Sequence, residues 1–498
     1  MPEPDRRADA NIGGWLEAHA VLRPERTAIR VAHTGQELSY RALAELSHGC
    51  SRALQQFGVV AGDRVALALR SEPLYLALYF AAARLGAILL PLNTRLSGPE
   101  LDEQLLDAEP RIVIRTPEVP IQGPGPAGTR LIERDAFVSE IPERADPVEL
   151  APGGEAPQVL MYTSGSTGRP KGALLPHRKT LYNTLNAELY FGLHEDDVSI
   201  VPVPLFHSFG LKILSIPTLF CGGTLVLVDR FDPSELQQTV AHHRGTLLGA
   251  VPVMYRRMLR AGIERDGLAA LRVAFCAGAP LDRETIHAFA EHGVVIRQGY
   301  GQTETSILCC LDAENALRMA GSVGRPVHYG EVQIADEAGN PAPEDSIGEV
   351  VVRGPTVMTG YWRRAEETAE SRIAGWHRTG DLGRMDREGF VTLVGRRREL
   401  YISGGENVYP AEVERVLEAH PGIAAAAVVG RPDREWGEAG DAYVVPLDED
   451  LDPEELLQFA AQRLARYKLP RSVRFLDELP RTAAGKIRKH ALPTAPSN

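Results

Sequence analysis

The chain has 498 residues, of which 44% are apolar and 24% charged, enough for one large core plus a smaller domain. Its net charge of −12 argues against a nucleic-acid surface or an anionic membrane as the main partner, because duplex binding is dominated by cationic contacts to phosphate. Cys50, Cys221, Cys276, Cys309 and Cys310 are odd in number and lack C-x-x-C spacing, which argues against a disulfide framework or zinc site and for a reducing, cytoplasmic setting.

The first ten residues, MPEPDRRADA, lack the apolar stretch of a signal peptide. From Arg26 to about residue 300, short β-rich runs alternate with helical patterns. RTAIRVA, DRVALAL, RIVIR, GTLVLVD, LRVAFCAG and GVVIRQGYG read as strands. DRETIHAFAEH reads as a helix, with Ile286, Phe289 and Ala290 at helical spacing. The apolar run LYLALYFAAARLGAILLPL carries Arg84 and reads as a buried helix followed by a strand, with no membrane span. This alternation points to an α/β fold, a large N-terminal domain of parallel-rich layered sheets.

After about residue 320 the texture changes. EVQIADEAGNP, IGEVVVRGP and GFVTLVGR are short strands joined by Gly-, Asp- and Asn-bearing turns, a small barrel-like part. Beyond GRRREL comes a small α+β C-terminal domain. PAEVERVLEAHP is a helix, AAAAVVG and DAYVVPL are strands, and PEELLQFAAQRLARYKLP is a helix presenting Leu456, Leu457, Ala460, Ala461 and Leu464 on one face. The boundary is set at Arg398, giving domains 1–397 and 398–498.

Five stretches carry residue types suited to nucleotide chemistry. YTSGSTGRPKG joins hydroxyls, glycines and Lys171 in a loop able to wrap an anion, yet it does not fit the G-x-x-x-x-G-K-[ST] phosphate loop. A surface loop would have the same composition. GYGQTET follows a strand; Tyr300, between Gly299 and Gly301, can lay its ring on a base, and Glu304 can hold Mg²⁺. HRTGD ends in Asp381, an acceptor for ribose hydroxyls, although a lone TGD better suits an Asx turn. VGRRRELYISGGENVYPAEVE joins a cationic cluster to a two-glycine turn, and LPRTAAGKIRK places Lys486 after a glycine. Taken singly, those last two suit a solvated linker and an exposed lysine.

The five occur in one order, and each matches a motif of the adenylate-forming (ANL) superfamily. The chain resembles the acyl-CoA synthetase branch, the AMP-dependent acid–CoA ligases, over nearly its whole length. GEVVVRGPTVMTGYW and RPDREWGEAGDAYVV match in the corresponding places. The resemblance implies ATP, Mg²⁺ and coenzyme A, a carboxylic acid substrate, no nucleic acid, and a monomer or homodimer. It implies that Thr163, Ser164, Gly165, Ser166, Thr167, Gly168 and Lys171 hold the β- and γ-phosphates. Tyr300 covers the adenine, with Gly278, Ala279 and Pro280 on its other side, Thr303 meets the α-phosphate, and Glu304 binds the metal. Asp381 takes the ribose with Arg396 beside it, and Lys486 bridges carboxylate and α-phosphate. The C-terminal domain then swings, bringing Ser403, Gly404, Gly405 and Glu406 to the thiol. The hinge is Arg398, where relatives usually carry Asp or Lys.

For the acid, the same resemblance brings together His207, Phe209, Leu211, Gly249, Ala250, Val253, Gly278, Ser306 and Ile307, a set suited to a hydrophobic aliphatic, aromatic or alicyclic acid. LFHSFG has no Asp to hold an amino-acid ammonium, and Gly299 stands where malonate-activating relatives carry arginine. Arg297, two residues earlier, could share that face. His207 is read as a pocket wall or gate, with a backbone-bonded buried histidine as the alternative. Two further readings stand beside the ligase: an enzyme specialised for one half-reaction or for a carrier-protein thiol, and a non-catalytic nucleotide-binding homologue.

Overall fold

The apolar run becomes the helix Pro73–Leu85, every residue of which is buried. Pro73 opens it, where a missing N–H costs nothing, and Gly86 closes it in the left-handed region at φ 69°. The strand Ile88–Pro91 follows at once. Arg84 is tolerated in the core because its guanidinium meets Glu17 and the Val148 carbonyl.

The computed structural model describes residues 11–493 except 122, 124, 164–169, 265, 404–405, 434–436, 448–450, 465 and 483–484. Contacts divide the chain into two units. The first is Met1–Val332 with Val352–His377 and Glu388–Val391; the second is Gln333–Val351 with Arg378–Arg387 and Thr392–Asn498.

Two sheets frame the first unit. In the nine-stranded sheet, Ile296–Gln302, Val273–Cys276, Leu247–Ala250, Val198–Val201, Thr224–Leu227 and Thr27–Val31 run parallel in that spatial order. Antiparallel strands close both edges, Glu37–Ser39 on one side and Ser306–Cys310 with Arg325–Pro326 on the other. The central strands are continuously apolar because both faces are covered. In the seven-stranded sheet, Arg130–Glu133, Ile112–Arg115, Arg64–Ala68, Ile88–Pro91 and Pro157–Thr163 are parallel neighbours. Lys171–Pro176 and Gly360–Tyr361 then add antiparallel. Every strand expected between Arg26 and residue 300 is present.

The glycine-rich strands after residue 320 form a five-stranded sheet of Glu331–Ala335, Gly348–Arg353, Trp376–Met385, Arg372–Ile373 and Val391–Arg396. A last sheet orders Glu406–Val408, Tyr401–Ser403, Gly437–Pro446 and Ile423–Asp433, with Ser472–Phe475 parallel to Gly437–Pro446. The helices Pro410–Glu418 and Pro453–Ala461 bury Val413, Leu417, Leu456 and Ala460 against it. The second of these helices is shorter than expected. It stops at Ala461, which is exposed, and Leu457 is half-buried. The chain turns there so that Ser472–Phe475 can return beside Gly437–Pro446, and Leu464 joins the core from the turn.

Among the described residues no helix is long and apolar enough to cross a membrane. All five cysteines are free. Burial pushes the Cys310 thiol up to about 12 and Cys309 higher still, so this adjacent pair packs the core as inert thiols.

Candidate nucleotide and acyl site

Pro157–Thr163 and Lys171–Pro176 pair antiparallel, which sets Thr163 opposite Lys171 at the two ends of the glycine-hydroxyl stretch. Ser164, Gly165, Ser166, Thr167 and Gly168 lie outside the described residues. One end meets Glu304 directly, and the other lies over the ring of Tyr361, which bonds the same acid. Thr163 Oγ1 donates to Glu304 Oε1 at 2.9 Å, and the Tyr361 hydroxyl donates to the same oxygen at 3.3 Å. Lys171 Nζ sits 5.5 Å from the centroid of the Tyr361 ring. Burial, then the charge of Glu304, pushes the Tyr361 hydroxyl pKa far up, so this group stays a donor.

Glu304 is buried on a turn that also carries the half-buried Thr303. The Gln302 N–H donates to Thr305 Oγ1 at 3.1 Å, and the Met358 N–H donates to the Glu304 carbonyl at 2.7 Å. A carboxylate held by hydroxyls is a donor set that fits Mg²⁺, which takes one or two carboxylates plus phosphate oxygens.

The glycines flanking Tyr300 have a packing reason that the sequence reading did not supply. A Cβ on Gly301 would stand 1.9 Å from the Ser306 carbonyl oxygen, and one on Gly299 would stand 2.4 Å from Phe275 Cζ. They let Ile296–Gln302 press against Ser306–Cys310 and against the ring of Phe275. Tyr300 between them is 8% exposed. Gly278, at φ 92°, turns the chain after Val273–Cys276 and leaves Ala279 and Pro280 exposed.

Ser306 occupies the left-handed region at φ 62°, uncommon for a residue with a side chain. Its hydroxyl accepts from Lys179 Nζ, which also donates to the Thr356 carbonyl at 2.8 Å. Lys179 is 1% exposed, as is Lys212. Lys212 Nζ bonds the Tyr79 hydroxyl at 3.1 Å, Gln158 Oε1 at 2.9 Å and Thr180 Oγ1. Burial drives both amines well below the ordinary lysine range, and for Lys179 the charge of Lys212 adds to this while Glu304 opposes it. Neither lysine was expected here. Their only sequence signal is a lysine inside an apolar run, FGLKIL, and another in a basic run that reads as exposed.

The expected acyl-pocket residues cluster in part. Leu211, Ala250 and Ile307 are buried in the main core, and Phe209 stands edge-on to Phe275 at 5.9 Å. Gly249 is packed so closely that a Cβ would lie 2.5 Å from Leu214 Cδ2. Val253, by contrast, is 53% exposed. Phe209–Ser215 is a π-helical segment, and His207 at its entrance is half-buried against the Phe206 ring. Arg297 is committed elsewhere, donating to the Tyr190 carbonyl at 3.1 Å beside a cavity it shares with Arg272.

In the second unit, Asp381 is buried and Arg396 Nε lies 2.6 Å from its Oδ1. Ser403 is buried and pairs in register with Glu406; Gly404 and Gly405 lie outside the described residues, as does the side chain of Glu406. Arg398 lies in the 3₁₀ turn Arg397–Glu399, its side chain outside the described set. Lys486 is exposed, on a loop where its N–H donates to Thr482 Oγ1 at 3.1 Å.

Residues 16–362 match the family model of AMP-binding enzymes, and residues 412–486 match that of the AMP-binding enzyme C-terminal domain. The chain belongs to the AMP-binding, adenylate-forming enzymes, in their acid–CoA ligase branch. It is 41% identical to a feruloyl-CoA synthase of Amycolatopsis sp, over 96% of this chain and 97% of that one. It is 39% identical to the indoleacetate–CoA ligase of Aromatoleum aromaticum, over 96% of each chain. Its fold matches ATP-bound MatB from Rhodopseudomonas palustris with a TM-score of 0.90 at 32% identity, covering 97% of this chain and 98% of MatB. MenE from Bacillus subtilis, solved in complex with ATP and a magnesium ion, matches at 0.87 and 32%, over 96% of this ligase and 99% of MenE.

Proposed function

We propose that this ligase activates a hydrophobic, ring-bearing carboxylic acid. The chain is an ATP-dependent acid–CoA ligase. In the first half-reaction a carboxylate oxygen attacks the α-phosphorus of ATP, the bond to the bridging oxygen breaks, and pyrophosphate leaves an acyl-adenylate. In the second, the thiol sulfur of CoA attacks the acyl carbon, the thiol proton is released, and AMP departs. An anion attacks a polyanion in the first step, so positioning and charge neutralisation carry the catalysis.

The observation that carries the acid class is the edge-on Phe209–Phe275 pair, set in an apolar core that also holds Leu211, Ala250 and Ile307. A flat apolar acid gains most from such surroundings, roughly 25 cal/mol per Å² removed from water. The relatives at 41% and 39% identity are named for acids that carry aromatic rings, which supports the same class.

Each residue takes a role consistent with its surroundings. Thr163 and Lys171, at the ends of the 164–169 stretch, hold the departing phosphates. Glu304, fixed by Thr163 and Tyr361, holds Mg²⁺, which when bound supplies positive charge across the phosphates. Thr303 contacts the α-phosphate and Tyr300 covers the base. Asp381 receives the ribose hydroxyls, oriented by Arg396. Lys486 bridges carboxylate and α-phosphate, and Arg398 is the pivot that later removes it. His207 is a movable wall between the acyl and thiol sides. The five free thiols, together with ATP and CoA as co-substrates, support a cytoplasmic setting.

Pyrophosphate release over a panel of aromatic, alicyclic and straight-chain acids, with and without CoA, tests this reading. Aromatic acids are expected to give the highest kcat/KM, with an acyl-CoA product. Preference for a straight-chain acid overturns the acid class. Pyrophosphate without CoA-thioester would favour a carrier-protein thiol.

A further inference from the structure

Arg398 lies between two separate sets of ion pairs in the second unit. On its N-terminal side, Arg396 pairs with Asp381 at 2.6 Å and Arg397 Nη1 donates to Glu349 Oε2 at 2.8 Å. Both acids belong to strands, Trp376–Met385 and Gly348–Arg353. On its C-terminal side, Glu399 Oε2 accepts from Lys489 Nζ at 2.6 Å, and the same amine lies 2.7 Å from Glu414 Oε1. Glu414, in the helix Pro410–Glu418, also accepts from the Val428 N–H at 2.7 Å. The residues before Arg398 are thus fastened to one sheet, and the residue after it to one helix and one lysine. Rotation at Arg398 separates these two sets without breaking a pair within either.

Lys489 lies three residues beyond Lys486, and the chain between is braced. The Thr482 N–H donates to the Lys486 carbonyl at 2.7 Å, Arg481 and Ile487 form an antiparallel bridge, and Ile487 packs with the cluster of Tyr443, Leu479 and Leu492. The side chains of Lys489 and Glu414 are 19% and 16% exposed, so solvent screens their pair weakly. Burial raises the Glu414 carboxyl pKa, and Lys489 offsets part of that rise.

We propose that Lys489 is a positioning residue whose twin ion pairs with Glu399 and Glu414 fasten the Lys486 loop to the C-terminal side of the Arg398 pivot, so that loop and pivot segment turn as one body. The proposal rests on the reading of Lys486 as the adenylation lysine. Lys486 must reach a reacting oxygen to within a fraction of an ångström, and it is itself exposed. Fixing its offset from the pivot makes each return of the segment deliver the ammonium to one place.

The test measures adenylation by ATP–pyrophosphate exchange, thioester formation from supplied acyl-adenylate plus CoA, and thermal melting, all on the full chain. Lys489→Met leaves Glu414 buried and uncompensated, so Glu399→Gln is the primary variant. It removes the charge from the tie to the pivot, leaving only a neutral acceptor for Lys489, and keeps the Lys489–Glu414 pair. Glu399→Gln is expected to lower adenylation kcat by about tenfold or more with KM for ATP unchanged, since misplacement of about 1 Å costs up to ~10²-fold. Thioester formation and melting temperature are expected to stay near wild type, and Lys489→Arg is expected to restore most of what Lys489→Met loses. Unchanged adenylation in Glu399→Gln overturns the proposal, as does an equal fall in both half-reactions with a lowered melting point. Lys486→Ala is run in parallel: if it leaves adenylation intact, the reading of Lys486 itself fails, whatever Glu399→Gln does.

Discussion

His177 is fully buried, and its Nδ1 accepts the Ile12 N–H at 3.3 Å, so the ring proton sits on Nε2 and the imidazole is neutral. Burial, then the charge of Lys212, lowers its pKa from 6.5 to about 3. The unfolded chain therefore takes up a proton near pH 6.5, while the folded chain resists until about pH 3. Stability from this group is complete above the unfolded value and is lost as pH falls through that window, on the order of 4 kcal/mol by its lower end. In urea titrations between these limits, His177→Asn, which keeps an acceptor for Ile12, is expected to flatten the decline. Parallel pH profiles for the two proteins would contradict this account. Glu304→Gln keeps an acceptor for Thr163 and Tyr361 but removes the charge. It is expected to cost about 10²–10³ in adenylation rate with melting nearly unchanged, read by pyrophosphate release. Both Glu304 and Lys486 stood out in the sequence because motif residues are tied to a chemistry. The neutral imidazole and the two buried lysines did not, because their burial depends on which faces the sheets close over.

At the scale of elements, legibility followed the length of the apolar pattern. The helix Pro73–Leu85 and the strands Thr224–Leu227 and Val273–Cys276 are continuous apolar runs with proline or glycine at their ends, and these were readable. The helix Pro453–Ala461 is shorter than its sequence pattern, since LARYKL continues the periodicity and the turn is imposed by the strand that follows. The π-helical segment Phe209–Ser215 had no readable signal, because HSFGLKILS suits an ordinary α-helix equally well. Its geometry turns on Gly210. A Cβ there would stand 2.4 Å from the Pro204 carbonyl oxygen and 2.7 Å from that of Val203, both backbone atoms that cannot swing aside. Gly210→Ala must therefore displace the segment that carries Phe209 and Leu211. It is expected to lower the melting temperature by several degrees, for a strain of about 1–3 kcal/mol. It is also expected to raise KM for the acid more than KM for ATP. Equal changes in both constants would mean that the segment does not border the acid.

For the whole molecule, the roles proposed for Lys486 and Arg398 set one constraint: the lysine serves the first reaction and leaves for the second, so the proposed pivot has to be compliant in both directions. Arg398 lies in the 3₁₀ turn Arg397–Glu399, flanked by Arg396 and Arg397 tied to Asp381 and Glu349 on one side and by Glu399 tied to Lys489 on the other. Such a turn can change its dihedral angles without breaking a long ladder of hydrogen bonds, which suits a hinge. Proline at this position locks its own φ near −65° and pushes Arg397 away from the helical region, so it restricts rotation from both sides. Arg398→Pro is expected to slow thioester formation at least about tenfold relative to adenylation, because the first reaction needs one arrangement and the second needs the change. Single-turnover quench of acyl-adenylate and acyl-CoA separates the two rates, with the adenylate accumulating in the variant. If both rates fall together, or neither does, rotation at Arg398 is not what links the two half-reactions.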